Sequence, residues 1–480
     1  MTRLPLTDRP DLPNLWPDAE GWSRRATVTR VDPATGRAAG WVPVAEPADV
    51  AGAVARARAV FDTTDPDLPR APRLERIARL IAAIEARKEA FARAISAEMG
   101  SPIDFARDKQ VVAAIAHLQA THAALAQAPD REVAAPGHWI RHEPLGVAAL
   151  ITPWNWPLNQ AALKLGGALA AGCAAVIKPS ELAPFSACLL AEALHEALPD
   201  GAAQVLMGDG ATGEALVAAK GVDVISFTGS TSVGQHIAAE AGARLRPVLL
   251  ELGGKSPNIL FADCDLPLAV TQGVAHCFRN SGQSCNAASR MLVERSVYED
   301  AVALAAAEAE AAVFADPSQP GDHFGPLVSE VQFNHVQRCI DRALAEGARC
   351  VAGGPGRAPG NTGGWFPRAT VFADVTPDMD LFQTEVFGPV LSITPFDTEE
   401  EAVSLANAGP YGLAGYVQTA DPDRAARVSR ALRVGMVQAG GQSRVAGAPF
   451  GGRGASGYGR EAGLWGIRAF QAVKSVSGAD

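Results

Sequence analysis

The chain is 480 residues long, 48% hydrophobic and 20% charged, with a formal net charge of −10. That length allows two to three domains whose cores need neither disulfide nor metal. No Lys/Arg block is present to neutralise phosphates, which excludes nucleic acid as a partner, and the longest apolar run, AALKLGGALAAGCAAVI, is broken by Lys164 and glycines and reads as a helix followed by a strand, not a membrane span.

The N-terminal stretch MTRLPLTDRPDLPNLWP lacks the apolar segment of a signal peptide. Residues 1–50 are Pro-rich and irregular, with a turn at DPATGR, and residues 48–126 are Ala/Arg-rich with helical periodicity. From GVAALITPWNWP onward the pattern changes. The strand VAALI is followed by a helix from about Leu158 to Ala171, then by the strands AAVIKPSE, AQVLMG, VDVISFTGS and RPVLLELGG, each separated from the last by a helical stretch, and then by PNILF. A second alternating region begins near Leu266 and contains RMLVER, CVAGG, FPRATVFADV, VLSITPF and AGYVQT. Such alternation predicts an α/β protein with doubly wound parallel sheets, and the boundary between the two regions falls near Gly253–Gly254. The seven cysteines (173, 188, 264, 277, 285, 339 and 350) are odd in number and form no CxxC pair, so neither disulfides nor a metal site is indicated. Reduced thiols in the cytoplasm are the expectation.

Candidate chemistry sits where strands end. A literal GxGxxG, GDGATG (Gly208, Gly210, Gly213), follows an apolar strand, but its helix is short and no acid ends the next strand, so a plain tight turn competes with a pyrophosphate site. The unit VAALI–helix–AAVIKPSE fits a dinucleotide better, because Glu181 lies just past the second strand, where a carboxylate accepts from ribose hydroxyls, with Lys178 beside it. FTGSTSVG places Gly229 at a strand end and Ser230 as an N-cap, so the following helix start is either an anion site or an ordinary strand-to-helix turn. Glu251 ends RPVLLELGG and Asn155 lies in TPWNWP ahead of Pro157, a first-turn helix residue; an Asn amide in such a place can donate to a developing oxyanion. NSGQSCNAASR surrounds Cys285 with the polar groups a reactive thiolate needs. Cys277 adjoins His276, but consecutive helical residues point apart.

Together these segments resemble the aldehyde dehydrogenase superfamily. The resemblance is collinear over nearly the whole chain, from DPATGR through RHEPLGVAALITPWNWP, KPSE, FTGSTSVG, LELGGKSPNI, NSGQSC and EVFGPV to PFGGRGASGYGREAG, with Cys285 34 positions after Glu251. It implies a catalytic set of Cys285 as nucleophile, Glu251 as general base, Asn155 as oxyanion donor with the Cys285 backbone N–H, and Lys164 as a buried lysine nearby. It implies adenosine-ribose contacts from Lys178 and Glu181, a pyrophosphate-facing helix start from Gly229 and Ser230 through Val233 to Gly234, and nicotinamide contacts from Glu385 and Phe387. Ile151, Thr152, Pro153, Trp154, Ser180, Gly208 and Leu252 complete the implied cofactor site, and Trp156, Gln160, Leu163, Ser284, Asn286, Val445 and Phe450 the substrate tunnel. The implied domains are nucleotide-binding (1–126 and 145–253), catalytic (254–455) and a small β oligomerisation element (127–144 and 471–480) of a homodimer or homotetramer. The chain departs from the family pattern at Gln438, where Asn is common, at Arg453, where Lys is usual, and in PDLPRAP, which lacks a common Trp.

The reaction so implied is attack of the Cys285 thiolate on an aldehyde, hydride loss to NAD, and hydrolysis of the resulting thioester by Glu251-activated water. Glu251 favours hydrolysis over acyl transfer to CoA. Glu181 repels a 2′-phosphate and favours NAD over NADP. Leu163, in place of a frequent aromatic, loosens any cage for a quaternary ammonium. A non-catalytic homologue and a cysteine-dependent esterase are the alternatives.

Overall fold

The computed structural model describes residues 27–64, 69–129, 131–360 and 363–478. The N-terminal stretch, part of PDLPRAP and the last two residues lie outside them. The chain opens with an antiparallel pair, β1 (Thr27–Val31) and β2 (Ala38–Pro43), joined by the DPATGR turn. A run of helices follows, ending in Val112–Gln127. Next come the hairpin strands β3 (Arg131–Ala135) and β4 (His138–Pro144) and the strands of the first alternating region: β5 (Val147–Thr152), β6 (Ala174–Pro179), β7 (Ala203–Val205), β8 (Val224–Thr228) and β9 (Val248–Glu251). The second region supplies β10 (Pro257–Leu260), β11 (Arg290–Glu294), β12 (Arg349–Ala352), β13 (Thr370–Ala373), β14 (Val390–Phe396), β15 (Ala414–Gln418) and β16 (Met436–Ala439), and the chain ends with β17 (Gly457–Tyr458) and β18 (Gln471–Ser477).

Two large sheets result. One has the order β17-β9-β8-β5-β6-β7, the other β12-β13-β14-β11-β10-β15-β16. In each, the chain leaves a central strand first to one side and then to the other, which is double winding and leaves a crevice at the reversal point. The sheets are parallel except at one edge each, where β17 runs antiparallel to β9 and β12 antiparallel to β13. Both are short edge strands, free of the crossover that parallel pairing demands. β5 and β6 are buried along their whole length, which is why they read as unbroken apolar runs and not as alternating ones. Between them, the helix Pro157–Ala171 has Pro157 in its first turn and stops at Gly172 in the left-handed conformation (φ 99°).

The third sheet, β18-β4-β3, brings residues 131–144 together with 471–477. β3 is exposed throughout and β18 nearly so. No helix of the described residues is long and apolar enough to cross a membrane.

Candidate active site

The segment NSGQSC forms a turn after the helix Leu266–Phe278. Asn280 and Ser281 are left-handed (φ 56° and 57°), as is Gly282 (φ 75°). Such a conformation costs an ordinary side chain on the order of 1–3 kcal/mol and persists only if its surroundings impose it. Here they do. The Asn280 amide donates to the Asn155 carbonyl at 2.9 Å, its oxygen accepts from Gln110 at 3.2 Å, and Ser281 Oγ donates to the Gly325 carbonyl at 2.8 Å. Gln283 Oε1 accepts from Val328 N at 2.9 Å. Gly282 must be glycine twice over, because a Cβ there would also lie 2.1 Å from the Gly388 carbonyl.

That turn presents Cys285. Its thiol packs against a cluster of Ala288, Leu413, Ala414, Tyr416, Met436 and Phe450, and burial, reinforced by the carboxylates of Glu385 and Glu251, pushes it up to about 12. Burial and the neighbouring carboxylates thus favour the thiol over the thiolate. Asn155, buried at the carboxyl end of β5, donates its side-chain amide to the Gln283 carbonyl at 2.9 Å. It thus ties the tip of one sheet to the turn of the other region. Trp156 Nε1 donates to Ser284 Oγ at 3.0 Å, a second tie of the same kind.

Glu251 is 1% exposed, so it is not a solvated strand end. Neither carboxylate oxygen has a hydrogen-bond partner among the described residues. Burial, and then repulsion from Glu461, raise it well above the ordinary carboxylate range. Lys164, fully buried, donates to Glu461 at 2.5 Å and to Ser226 Oγ at 3.1 Å. Glu461 lies within GYGREAG, and its place opposite Lys164 depends on a contact 297 residues apart in sequence.

The remaining candidates gather along the carboxyl edge of the first sheet and the amino edge of the second. Lys178 is buried and donates to Glu181 at 3.3 Å; burial lowers its ammonium and Glu181 opposes that shift. Ile151 and Thr152 lie beside Lys178 and Pro179 in the β5–β6 register, Ser180 Oγ accepts from Leu182 N, and Trp154 meets Phe387 edge to face at 5.4 Å. Gly229 N donates to the Glu251 carbonyl. Ser230 caps the helix Thr231–Gly242, with Val233 exposed behind it and Gly234 against Leu252. Glu385 accepts from Gly254 N at 2.9 Å, so close to Gly253 that a Cβ there would sit 2.2 Å from its oxygen; burial raises Glu385 to about 7. Gln160 accepts from Thr228 at 3.4 Å, one helical turn from buried Leu163. The Asn286 carbonyl accepts from Tyr416 at 2.8 Å. Phe450 is buried, whereas Val445 stands 70% exposed and makes no wall of an enclosed tunnel in this chain alone.

The turn at Gly208 is closed by its own Asp209, whose carboxylate accepts from the N–H groups of Ala211 and Thr212. A phosphate would find those donors taken and a negative charge in place, which favours a capped turn at GDGATG. Glu251 ends β9 and Asn155 follows β5, at the carboxyl ends of strands, whereas Cys285, Glu385 and Phe387 precede β11 and β14, at amino ends. Cys277 and His276 do part: the thiol points to the Val390 carbonyl, while the imidazole accepts from Ala288 N. Among the described residues no cluster able to hold a metal occurs.

The residues present suit a dinucleotide. A lysine–carboxylate pair and a Ser-capped helix start at the edge of the first sheet, and a second carboxylate beside an aromatic at the facing edge of the second, are the groups that suit ribose hydroxyls, phosphate and a nicotinamide ring.

Known proteins share this arrangement. The aldehyde dehydrogenase family model matches residues 20–476. The 3-succinoylsemialdehyde-pyridine dehydrogenase of Pseudomonas sp is 42% identical over 462 residues, 95% of each chain. An aldehyde dehydrogenase structure from Bartonella henselae superposes with a TM-score of 0.91 at 42% identity, covering 94% of this chain and 96% of that one. A cysteine-to-alanine mutant of aldehyde dehydrogenase C from Pseudomonas syringae, in complex with NAD+ and octanal, does so with a TM-score of 0.91 at 42% identity over 95% and 94%. The chain belongs to the aldehyde dehydrogenase family.

Proposed function

We propose that this protein oxidises an aldehyde to its carboxylic acid with NAD as hydride acceptor, through a covalent Cys285 adduct. The observation that carries the reading is the junction at which Asn155, Cys285 and Glu251, drawn from both alternating regions, share one buried site. NAD, when bound along the edge from Lys178 and Glu181 to Glu385 and Phe387, supplies the hydride acceptor. The Cys285 thiol gives up its proton to solvent, and its sulfur bonds to the carbonyl carbon as the C=O π pair moves onto oxygen. The Asn155 amide has one proton engaged by Gln283 and a second to offer the oxyanion, together with the Cys285 N–H; one such donor is worth about 3–4 kcal/mol of transition-state stabilisation. After hydride loss the acyl group remains on Cys285 as a thioester. Glu251, whose carboxylate accepts from no donor among the described residues, takes a proton from the attacking water, and Lys164 holds Glu461 in place behind it. Glu181 disfavours a 2′-phosphate, hence NAD over NADP. The bound NAD+ and octanal of the Pseudomonas syringae structure support the same cofactor and an aliphatic substrate.

In this reading residues 1–126 and 145–253 form the nucleotide-binding domain, 254–455 the catalytic domain, and 127–144 with 471–480 an oligomerisation element of a cytoplasmic homodimer or homotetramer. The exposed three-stranded sheet supports the last assignment. NADH formation across an aldehyde panel, with Cys285→Ala alongside, tests the function. Wild-type turnover with some aldehyde and none in the variant is expected; no NADH from any aldehyde overturns the reading.

A further inference from the structure

We propose that Arg444, seated on His117, selects aldehydes whose far end carries a carboxylate. The inference rests on the reading of Cys285 as nucleophile. Arg444 belongs to the glycine-rich segment between β16 and Phe450, and it reaches from solvent towards the thiol. Its neighbour Val445 is exposed, yet its own side chain is half-buried, with the guanidinium stacked 5.1 Å from the Phe450 ring centroid. Phe450 in turn belongs to the cluster on which Cys285 packs. One aromatic ring therefore separates the cation from the thiol's surroundings, and the proposal places the distal end of an extended substrate beside it.

The charge is poorly answered. Nη1 donates to the Ala448 carbonyl at 2.8 Å and Nη2 approaches His117 Nε2 at 3.4 Å; among the described residues no carboxylate pairs with it. Glu461 is taken by Lys164, and Glu251 is held towards its neutral form by burial. Since arginine only donates, His117 Nε2 must accept, which puts the imidazole proton on Nδ1. His117 is 6% exposed and its Nδ1 has no partner among the described residues; burial and the Arg444 charge lower it to about 4, which favours the neutral imidazole. A half-buried, unpaired guanidinium backed by a neutral acceptor binds carboxylate far better than it tolerates an ammonium. The same cation, with Leu163 in the tunnel, argues against quaternary ammonium aldehydes.

The test compares ω-oxo-carboxylates of four to six carbons with alkanals of the same length, following NADH. Wild-type kcat/KM is expected to favour the carboxylates by roughly 10-fold or more. Arg444→Met should abolish that preference, chiefly through KM, and leave alkanal turnover within about threefold. Arg444→Lys, which retains charge without the planar fork, should keep part of it and serves if the Met variant folds poorly. Glutarate should inhibit the wild type competitively against the aldehyde and the Met variant weakly. Alkanal oxidation without any carboxylate preference overturns this inference alone, as does an equal fall for both substrate classes in Arg444→Met. No NADH from any aldehyde overturns the underlying reading as well.

Discussion

At the scale of single residues, the site is organised around groups held away from their ordinary ionisation. Glu251 is the clearest. Its carboxyl is raised by burial and by Glu461, and a base must be ionised to accept a proton. Steady turnover should therefore rise with pH through the raised value and fall as acid refills the carboxyl. Glu251→Gln should keep the first-turnover burst of NADH and lose steady turnover by about 100-fold or more; stopped-flow absorbance checks both. Loss of the burst itself would show that Glu251 acts before deacylation.

At the scale of elements, two short segments carry strain or charge. The left-handed turn Asn280–Ser281–Gly282 aims Cys285, and Gly282 has no room for a methyl group against Gly388. Gly282→Ala should lower the melting temperature and cut activity by about 100-fold or more, since a displacement near 1 Å is enough to do so; calorimetry and NADH assays read the two effects. Glu98 tells a different story. It is fully buried, accepts from Phe185 N and Ser186 N at the start of the helix Pro184–Ala197, bonds Ser186 Oγ, and is pushed up by burial to about 7 from an ordinary 4.5. The unfolded chain releases this proton first, so the group costs stability progressively from about pH 4.5 to 7 and by a constant amount above. Relative to wild type, Glu98→Gln should gain about 3 kcal/mol over that window, measured by denaturant melts at each pH. A pH-independent difference would refute the assignment.

At the scale of the whole molecule, the carboxyl edge of one sheet faces the amino edge of the other, and the site fills the gap. The small sheet of residues 131–144 and 471–477 stands apart, with Val133 and Val473 exposed on it. Apolar edge strands of this kind invite pairing. Val473→Lys should reduce the sedimenting mass to that of a smaller assembly without loss of helical circular dichroism; an unchanged mass counts against an oligomerisation role.

The elements themselves were legible because their signals are local. Continuous apolar runs marked β5 and β6, Pro157 and Gly172 marked the ends of a helix, and Ser230 marked a cap. The collinear motifs were legible too, and with them Cys285, Glu251 and Asn155. Hidden from the sequence were the groups whose roles come from distant partners. Glu461 answers Lys164 from 297 residues away, Gln110 holds Asn280 from 170, and His117 meets Arg444 from 327. GDGATG shows the converse, a motif of the right spelling closed by its own Asp209. What the sequence by itself determined was the order of strands and helices and the family to which the chain belongs, since periodicity, caps and motif spacing depend on neighbours along the chain. Only the tertiary structure decided which charges are buried and which go unanswered, because desolvation and Coulomb interaction act through space and take no account of sequence separation.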